Sequence, residues 1–321
     1  MMLDFVSLSE NCQGAIQTLS TEQQGLHMNS TVSPFNATKR IDGKGCADQI
    51  IASIADRVAT LGIQPGLAVI LVGADSASQT YVNSKSKRAK ECGFHSAQYD
   101  LPEDTSEVAL LELIEQLNVD DQIHGILVQL PLPDQIDPEK VIQAIDPTKD
   151  VDGFHFNNAG RLQAGALDQA LIPCTPLGCL HLIHQELGQD LRGKHVVVVG
   201  RSNIVGKPVA SLLLQQDCTV TTVHSGTVNP EQICRLADIL IVAVGVPQLV
   251  KADWVKPGAV VIDVGINYVE DSSGKGRLIG DVHFDAVAEK AAAITPVPGG
   301  VGPMTIAMLM QNTLLVAERT L

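Results

Sequence analysis

The sequence predicts an α/β protein of two domains: an N-terminal α/β catalytic domain, then a doubly wound nucleotide-binding domain, with a C-terminal helix returning to the first. Three observations carry this. Short continuous apolar runs recur between stretches of helical periodicity, the pattern of parallel strands covered on both faces. A loop-rich stretch at 146–176, dense in Asp, Asn, Gly and Pro, separates an earlier set of such units from a later one. The later set opens on a strand, a glycine-bearing loop and a helix start in direct succession. At 321 residues the chain is too long for one comfortable core and suits two domains of ordinary size.

The elements follow in order. Residues 1–37 are rich in Ser, Thr, Gln and Asn with weak periodicity and read as a poorly ordered extension. Organised structure begins near Ile41-Asp42-Gly43-Lys44, with a helical pattern over 47–61. The run 67–72 is a buried strand, 80–93 a helix, and 123–130 a second buried strand stopped by Pro131 and Pro133. After the loop-rich stretch come a strand at 195–199, a helix at 207–216, and strands at 219–223, 239–244 and 259–264. A Pro/Gly-dense segment, Thr295 to Thr305, precedes an amphipathic helix over 306–318. The expected division is therefore 38–175 with 306–321 for the catalytic domain and 176–305 for the nucleotide-binding domain.

Composition narrows the function classes. The chain is 45% hydrophobic and 18% charged, as in soluble globular proteins, and with only 3% aromatics its core must be Val, Ile, Leu and Ala. A formal charge of −14 repels phosphate backbones, so no nucleic-acid partner is expected. No apolar run reaches the roughly 18 residues of a membrane span, and the early acids Asp4 and Glu10 without a basic-then-apolar start do not make a secretory signal. The seven cysteines are odd in number and follow no framework, so they read as reduced thiols in a reducing, cytoplasmic compartment. Cys174 and Cys179 lie near His181 and His184, but the spacing matches no common zinc pattern, and no metal is expected.

The segment Lys194-His-Val-Val-Val-Val-Gly200-Arg-Ser-Asn-Ile-Val-Gly206-Lys-Pro208 is a strand, a tight loop and a helix start. Gly200 permits the turn out of the strand, Gly206 close packing where the helix begins, and Pro208 suits the first helical turn. The helix N-terminus is expected to offer free N–H groups to a phosphate. The spacing is not G-x-G-x-x-G, and a purely structural turn is the competing reading. In NAD-binding folds an acid about 20 residues on holds the ribose hydroxyls. Here the next strand ends Val223-His224-Ser225-Gly226, without a carboxylate, so a 2′-phosphate meets no repulsion and Arg201, Ser202 and Ser225 could bind it. This favours NADP in a Rossmann-type domain.

Ser76-Ala-Ser-Gln79 resembles a capping box ahead of a helix on which Tyr81 and Lys85, one turn apart, share a face. That helix follows a buried strand and should start at the sheet edge where α/β crevices form. A lysine near a phenol in a desolvated crevice can act as a general base or proton shuttle. Lys87, Arg88 and Lys90 on the same helix support the alternative of a solvated cationic face. Gln129, the one polar side chain in Gly125-Ile-Leu-Val-Gln-Leu-Pro-Leu-Pro133, needs partners and could orient Lys85. Asp150 and Asp152 alternate in a loop; one could accept hydrogen bonds from an amino-substituted heterocycle, or both could serve the turn. The Pro/Gly segment before the last helix is either a rigid hinge or a wall that lets a ligand approach closely.

Together these segments resemble the bifunctional methylenetetrahydrofolate dehydrogenase/methenyltetrahydrofolate cyclohydrolase family. The match runs from about Ile41 to the C-terminus and rests on Tyr81-Val-x-x-Lys85, Gly125-Ile-Leu-Val-Gln-Leu-Pro131, Lys149-Asp-Val-Asp-Gly-Phe154, Pro173-Cys-Thr-Pro176, the loop from Gly200 to Pro208, and Pro296-Val-Pro-Gly-Gly-Val-Gly-Pro-Met-Thr305. The resemblance implies oxidation of 5,10-methylenetetrahydrofolate by NADP and hydrolysis of the methenyl product to 10-formyltetrahydrofolate. It implies Lys85 as the general acid/base tuned by Tyr81 and Gln129, Asp152 holding the pterin, and a folate site that includes Val128 and Leu130 and is lined by Pro298, Gly299, Gly300, Val301 and Gly302. It also implies cofactor contacts from Gly200, Arg201, Ser202, Ser225 and Ile266, a homodimer, and no metal for the NADP form. Gly226 departs from the Arg or Lys that many members carry after His-Ser. Two alternatives are a dehydrogenase without the hydrolytic step, which the intact Tyr81/Lys85/Gln129 set opposes, and a non-catalytic NADP-binding relative, which predicts decay at Lys85 or Asp152.

Overall fold

Two parallel sheets with helices on their faces make up the molecule. The structure, a computed structural model, describes residues 38–73, 76–270 and 276–321, so the N-terminal extension lies outside the described residues. The first part of the chain runs β1 (Lys39–Arg40), α1 (Gly43–Leu61), β2 (Gly66–Val72), α2 (Ser76–Glu91), β3 (His95–Leu101), α3 (Glu107–Asn118), β4 (Gly125–Val128), α4 (Pro138–Ala144), α5 (Phe156–Ala164) and α6 (Cys174–Leu187). It continues with β5 (His195–Val199), α7 (Gly206–Leu214), β6 (Thr219–Val223), α8 (Pro230–Cys234), β7 (Ile239–Val242), β8 (Val260–Asp263), β9 (Asn267–Glu270), β10 (Gly276–Ile279), α9 (Phe284–Ala288), β11 (Ala293–Ile294) and α10 (Val301–Glu318).

The smaller sheet has the order β3-β2-β4 and the larger β1-β11-β8-β7-β5-β6, all parallel; β9 and β10 form a separate antiparallel hairpin. β2 explains why its sequence is continuously apolar. Leu67, Val69 and Leu71 enter the core shared with α1 and α10, while Ala68, Ile70 and Val72 enter the core under α3 and α4. β5 does the same, with Val196 and Val198 on one face and Val197 and Val199 on the other. One core therefore runs through both sheets: Leu67, Val196, Ile239 and Met304 belong to the same buried cluster.

Several expectations shift. α2 begins at Ser76, so Ser76-Ala-Ser-Gln79 is the first turn of the helix rather than a cap ahead of it. The stretch 146–176 is not all loop: it holds α5, whose cap is His155, and the start of α6. The strand expected over 123–130 spans only Gly125–Val128, leaving Gln129 and Leu130 past its end. The last helix starts at Val301 rather than 306, and it is buried on most of its surface because it packs against α1, α2 and α6 together. β1 pairs with β11 in the larger sheet, so residues 39–40 reach across from the start of α1. Among the described residues no helix is long and apolar enough to cross a membrane.

Candidate active site and cofactor crevice

Lys85 lies in the middle of α2, against Gln129 just past the C-terminal end of β4. Its side chain is buried, and its Nζ donates to Gln129 Oε1 at 2.9 Å. Gln129 is held in turn: its Nε2 donates to Leu130 O at 2.7 Å and its backbone N–H to Ile70 O at 2.9 Å, which leaves the amide oxygen facing Lys85. Tyr81 stands one turn before Lys85 and is 38% exposed, at the mouth of the crevice; burial of part of its ring raises the phenol pKa. Val128 is buried behind Gln129.

The two aspartates after β4 separate in role. Asp150 is 1% exposed and braces the start of α5: its Oδ2 accepts from the N–H of the cap residue His155 at 2.8 Å and from Asn158 Nδ2 at 3.0 Å. Burial pushes its carboxyl up to about 7 against those hydrogen bonds. Asp152 makes no such turn. Burial raises its pKa, and the Lys85 charge opposes the rise, so the two side chains share one desolvated site. The loop bearing Asp152 is pinned from α6 and α10. Cys174 Sγ donates to Val151 O at 3.2 Å, and Asn312 Nδ2 donates to Val151 O at 2.8 Å and Ile172 O at 2.9 Å. Asn312 was not anticipated from sequence; its signal is an amide in the middle of the apolar run of α10.

A cavity of 520 Å³ opens beside this cluster. Tyr81, Pro298, Gly299, Gly300, Val301 and Gly302 line it. Lys44 N donates to Gly299 O at 3.0 Å, which docks the start of α1 on the Pro/Gly wall. Ile266, expected at the cofactor, lines this cavity opposite α2. Lys85, Gln129, Asp152, Val128 and Leu130 are not among its lining residues; Tyr81, one turn before Lys85 on α2, is.

A second cavity of 560 Å³ lies over the C-terminal ends of β5 and β6, lined by Gly200, Arg201, Ser202, His224 and Ser225 among others. Gly200 has φ 125°, a conformation that favours glycine. The helix amides expected to be free are taken: Ser202 Oγ accepts from Val205 N and Gly206 N, both at 3.2 Å, and Lys207 N donates to Ser202 O. Ser202 thus caps α7, and what it offers the cavity is its hydroxyl proton. Among the described residues no carboxylate lines this cavity. The guanidinium of Arg201 and the hydroxyls of Ser202 and Ser225 fit a phosphorylated nucleotide.

Two buried carboxylates that sequence reasoning missed tie the cavities together. Asp281, fully buried, accepts from Val244 N at 2.7 Å and Gly245 N at 2.9 Å on Oδ2, and from Asn267 Nδ2 at 2.9 Å on Oδ1. Asp263 accepts from Gly265 N, Asp281 N and Val282 N. Burial, with the Asp281 charge beside it, raises Asp263 to about 7. Val244 walls the second cavity, while Asp263 and Ile266 wall the first. Among the described residues no group of three or more His, Cys, Asp or Glu side chains is placed to hold a metal ion.

The tetrahydrofolate dehydrogenase/cyclohydrolase catalytic-domain model matches residues 41–152, and the NAD(P)-binding-domain model of the same family matches 173–321. The bifunctional protein FolD of Sinorhizobium fredii is 59% identical over 284 residues, covering 87% of this chain and 92% of the relative. The FolD methylenetetrahydrofolate dehydrogenase/cyclohydrolase structure from Campylobacter jejuni is 47% identical with a TM-score of 0.84, covering 89% of this chain and all of that one. The Trypanosoma brucei enzyme, solved with NADP and an inhibitor, is 42% identical with a TM-score of 0.84, covering 88% and 98%. The chain belongs to the tetrahydrofolate dehydrogenase/cyclohydrolase family.

Proposed function

We propose that Lys85 is the general acid/base of a folate site whose two reactions share one crevice. The chain is an NADP-dependent methylenetetrahydrofolate dehydrogenase and methenyltetrahydrofolate cyclohydrolase. It oxidises 5,10-methylenetetrahydrofolate to the methenyl cation and hydrolyses that cation to 10-formyltetrahydrofolate. NADP, when bound, supplies the hydride acceptor. The first step needs no protein acid, since the product is a cation.

The second step needs a proton acceptor when water adds to the cation, and Lys85 fills that role in its free-amine form, taking the proton that water loses. The observation that carries the assignment is the 2.9 Å bond from Lys85 Nζ to the fixed oxygen of Gln129, inside the crevice Tyr81 opens. Gln129 orients the amine and Tyr81 shapes the mouth. Asp152, unlike Asp150, is free of the turn and accepts from the amino-pterin. Val128 and Leu130 flank Gln129, and Pro298, Gly299, Gly300, Val301 and Gly302 form the wall along the folate. Gly200, Arg201, Ser202 and Ser225 bind the cofactor, with Ile266 where the two ligands meet. One crevice for both steps keeps the reactive cation from diffusing away.

We assign residues 38–175 with 306–321 to the catalytic domain and 176–305 to the NADP domain, reading the chain as a homodimer in the cytoplasm. Six described cysteines are unpaired thiols, which supports a reducing compartment. A spectroscopic assay with methylenetetrahydrofolate and each nicotinamide cofactor tests the whole reading. NADPH should form, followed by loss of the methenyl chromophore; absence of NADPH formation by the native protein would sink it.

A further inference from the structure

The turn Gly280-Asp281-Val282 carries a carboxylate into the interior, where a charge needs partners. Asp281 takes them from two different loops. On Oδ2 it accepts from Val244 N at 2.7 Å and Gly245 N at 2.9 Å, in the loop that leaves β7. On Oδ1 it accepts from Asn267 Nδ2 at 2.9 Å, where the loop that leaves β8 enters β9. Backbone bonds fasten the turn itself to the first loop: Gln248 N donates to Gly280 O, and Val250 N to Asp281 O, both at 3.0 Å. The second loop passes so close that a Cβ on Gly265 would run into the Asp281 carboxyl group, so glycine is required there while the carboxylate stays. Each loop walls a different cavity. Val244, Val246 and Leu249 line the 560 Å³ cavity over β5 and β6, and Val264 and Ile266 line the 520 Å³ cavity beside Tyr81. Asp281 and Asn267 line neither of the two.

We propose that Asp281 is a positioning residue that couples the binding of the two ligands: one carboxylate holds both loops in a single arrangement, so a ligand that settles one loop settles the other. This rests on the reading above, with NADP over β5 and β6 and the folate beside Tyr81. The first ligand orders the shared loops, and the second finds them already ordered and binds more tightly. The effect is reciprocal: NADP tightens folate by the same factor by which folate tightens NADP. Asp281 acts only through the loops, so its loss uncouples the two sites without removing a contact to either ligand.

Calorimetric titration of the full chain with NADP, alone and at saturating tetrahydrofolate, measures the coupling; tetrahydrofolate carries no one-carbon unit, so nothing turns over. In the native protein tetrahydrofolate should tighten NADP at least about fivefold. Asn267→Ala, at a half-buried position, cuts one side of the bridge. It should bring the factor within about twofold of unity and leave the affinity for NADP alone within about twofold of native. Asp281→Asn, whose amide cannot accept from both loops, should uncouple the sites in the same way. Asp281→Asn combined with Asn267→Asp exchanges donor and acceptor across the bond and should restore the factor, which a merely structural loss would not. Hydrogen exchange gives a second readout: NADP alone should slow the amides of 264–267 in the native protein and not in Asn267→Ala. A native coupling that survives in both single variants, or a paired variant no better coupled than Asp281→Asn, overturns the proposal. Native binding of both ligands without mutual tightening overturns it and leaves the functional reading standing. A native protein that does not bind both ligands overturns both.

Discussion

Asp152 and Lys85 sit in one desolvated crevice, and that placement governs the protonation of the aspartate. Burial raises the Asp152 carboxyl and the Lys85 charge holds it back. Replacing Lys85 with Met, a chain of similar length without charge, removes the restraint. The Asp152 pKa, followed by carbon NMR of the labelled carboxyl, should then climb further; an unchanged or lower value would contradict the electrostatic coupling. Asp150, two residues away, shows why sequence left the pair open. Both acids sit in the same short motif, and only the position of α5 decides that Asp150 bonds the start of a helix while Asp152 does not. The Lys85–Gln129 contact was legible because an amide in an apolar strand demands a partner. Asn312 carries the same signal within α10, but its partners, the carbonyls of Val151 and Ile172, lie far off along the chain.

At the scale of elements, the ends of β7 and β8 are fastened by Asp281 and Asp263 through backbone amides. Asp263 has a folded-state pKa of about 7, above its ordinary 3.8. A carboxyl raised on folding binds its proton more tightly in the folded state. Its contribution to stability is therefore present at low pH and is lost as pH rises from about 4 to 7. The stability difference between the native chain and Asp263→Asn, measured by denaturant unfolding, should decline across that window and level off above it; a flat difference would contradict the shift. The buried strands β2, β4, β5, β7 and β8 were readable because apolar continuity marks a strand covered on both faces. β3 was not, since it is an edge strand whose residues His95, Gln98 and Asp100 show no apolar run and whose order comes from pairing with β2. The cofactor loop was readable in outline, but the Ser202 cap that closes its amides was not, because it depends on a three-dimensional turn.

In the molecule as a whole, α10 joins the two sheets. It packs against α1 and α6, and its Met304 meets Gly178 where the helices cross. A Cβ at position 178 would lie 2.9 Å from Met304 Cβ, so Gly178→Ala should destabilise the protein by about 1–3 kcal/mol in denaturant unfolding. A cost near zero would mean that the helices part easily there. Through α10 the Pro/Gly wall at Pro298 to Gly302, the Asn312 anchor and the Asp152 loop form one scaffold around Lys85. The most direct test of that account is single-turnover mixing of enzyme, methylenetetrahydrofolate and NADP, following the methenyl chromophore in native protein and in Lys85→Met. The account predicts that the native protein forms and then consumes the methenyl product, while Lys85→Met hydrolyses supplied methenyltetrahydrofolate about a hundredfold more slowly or worse. Native-rate hydrolysis by Lys85→Met would contradict it.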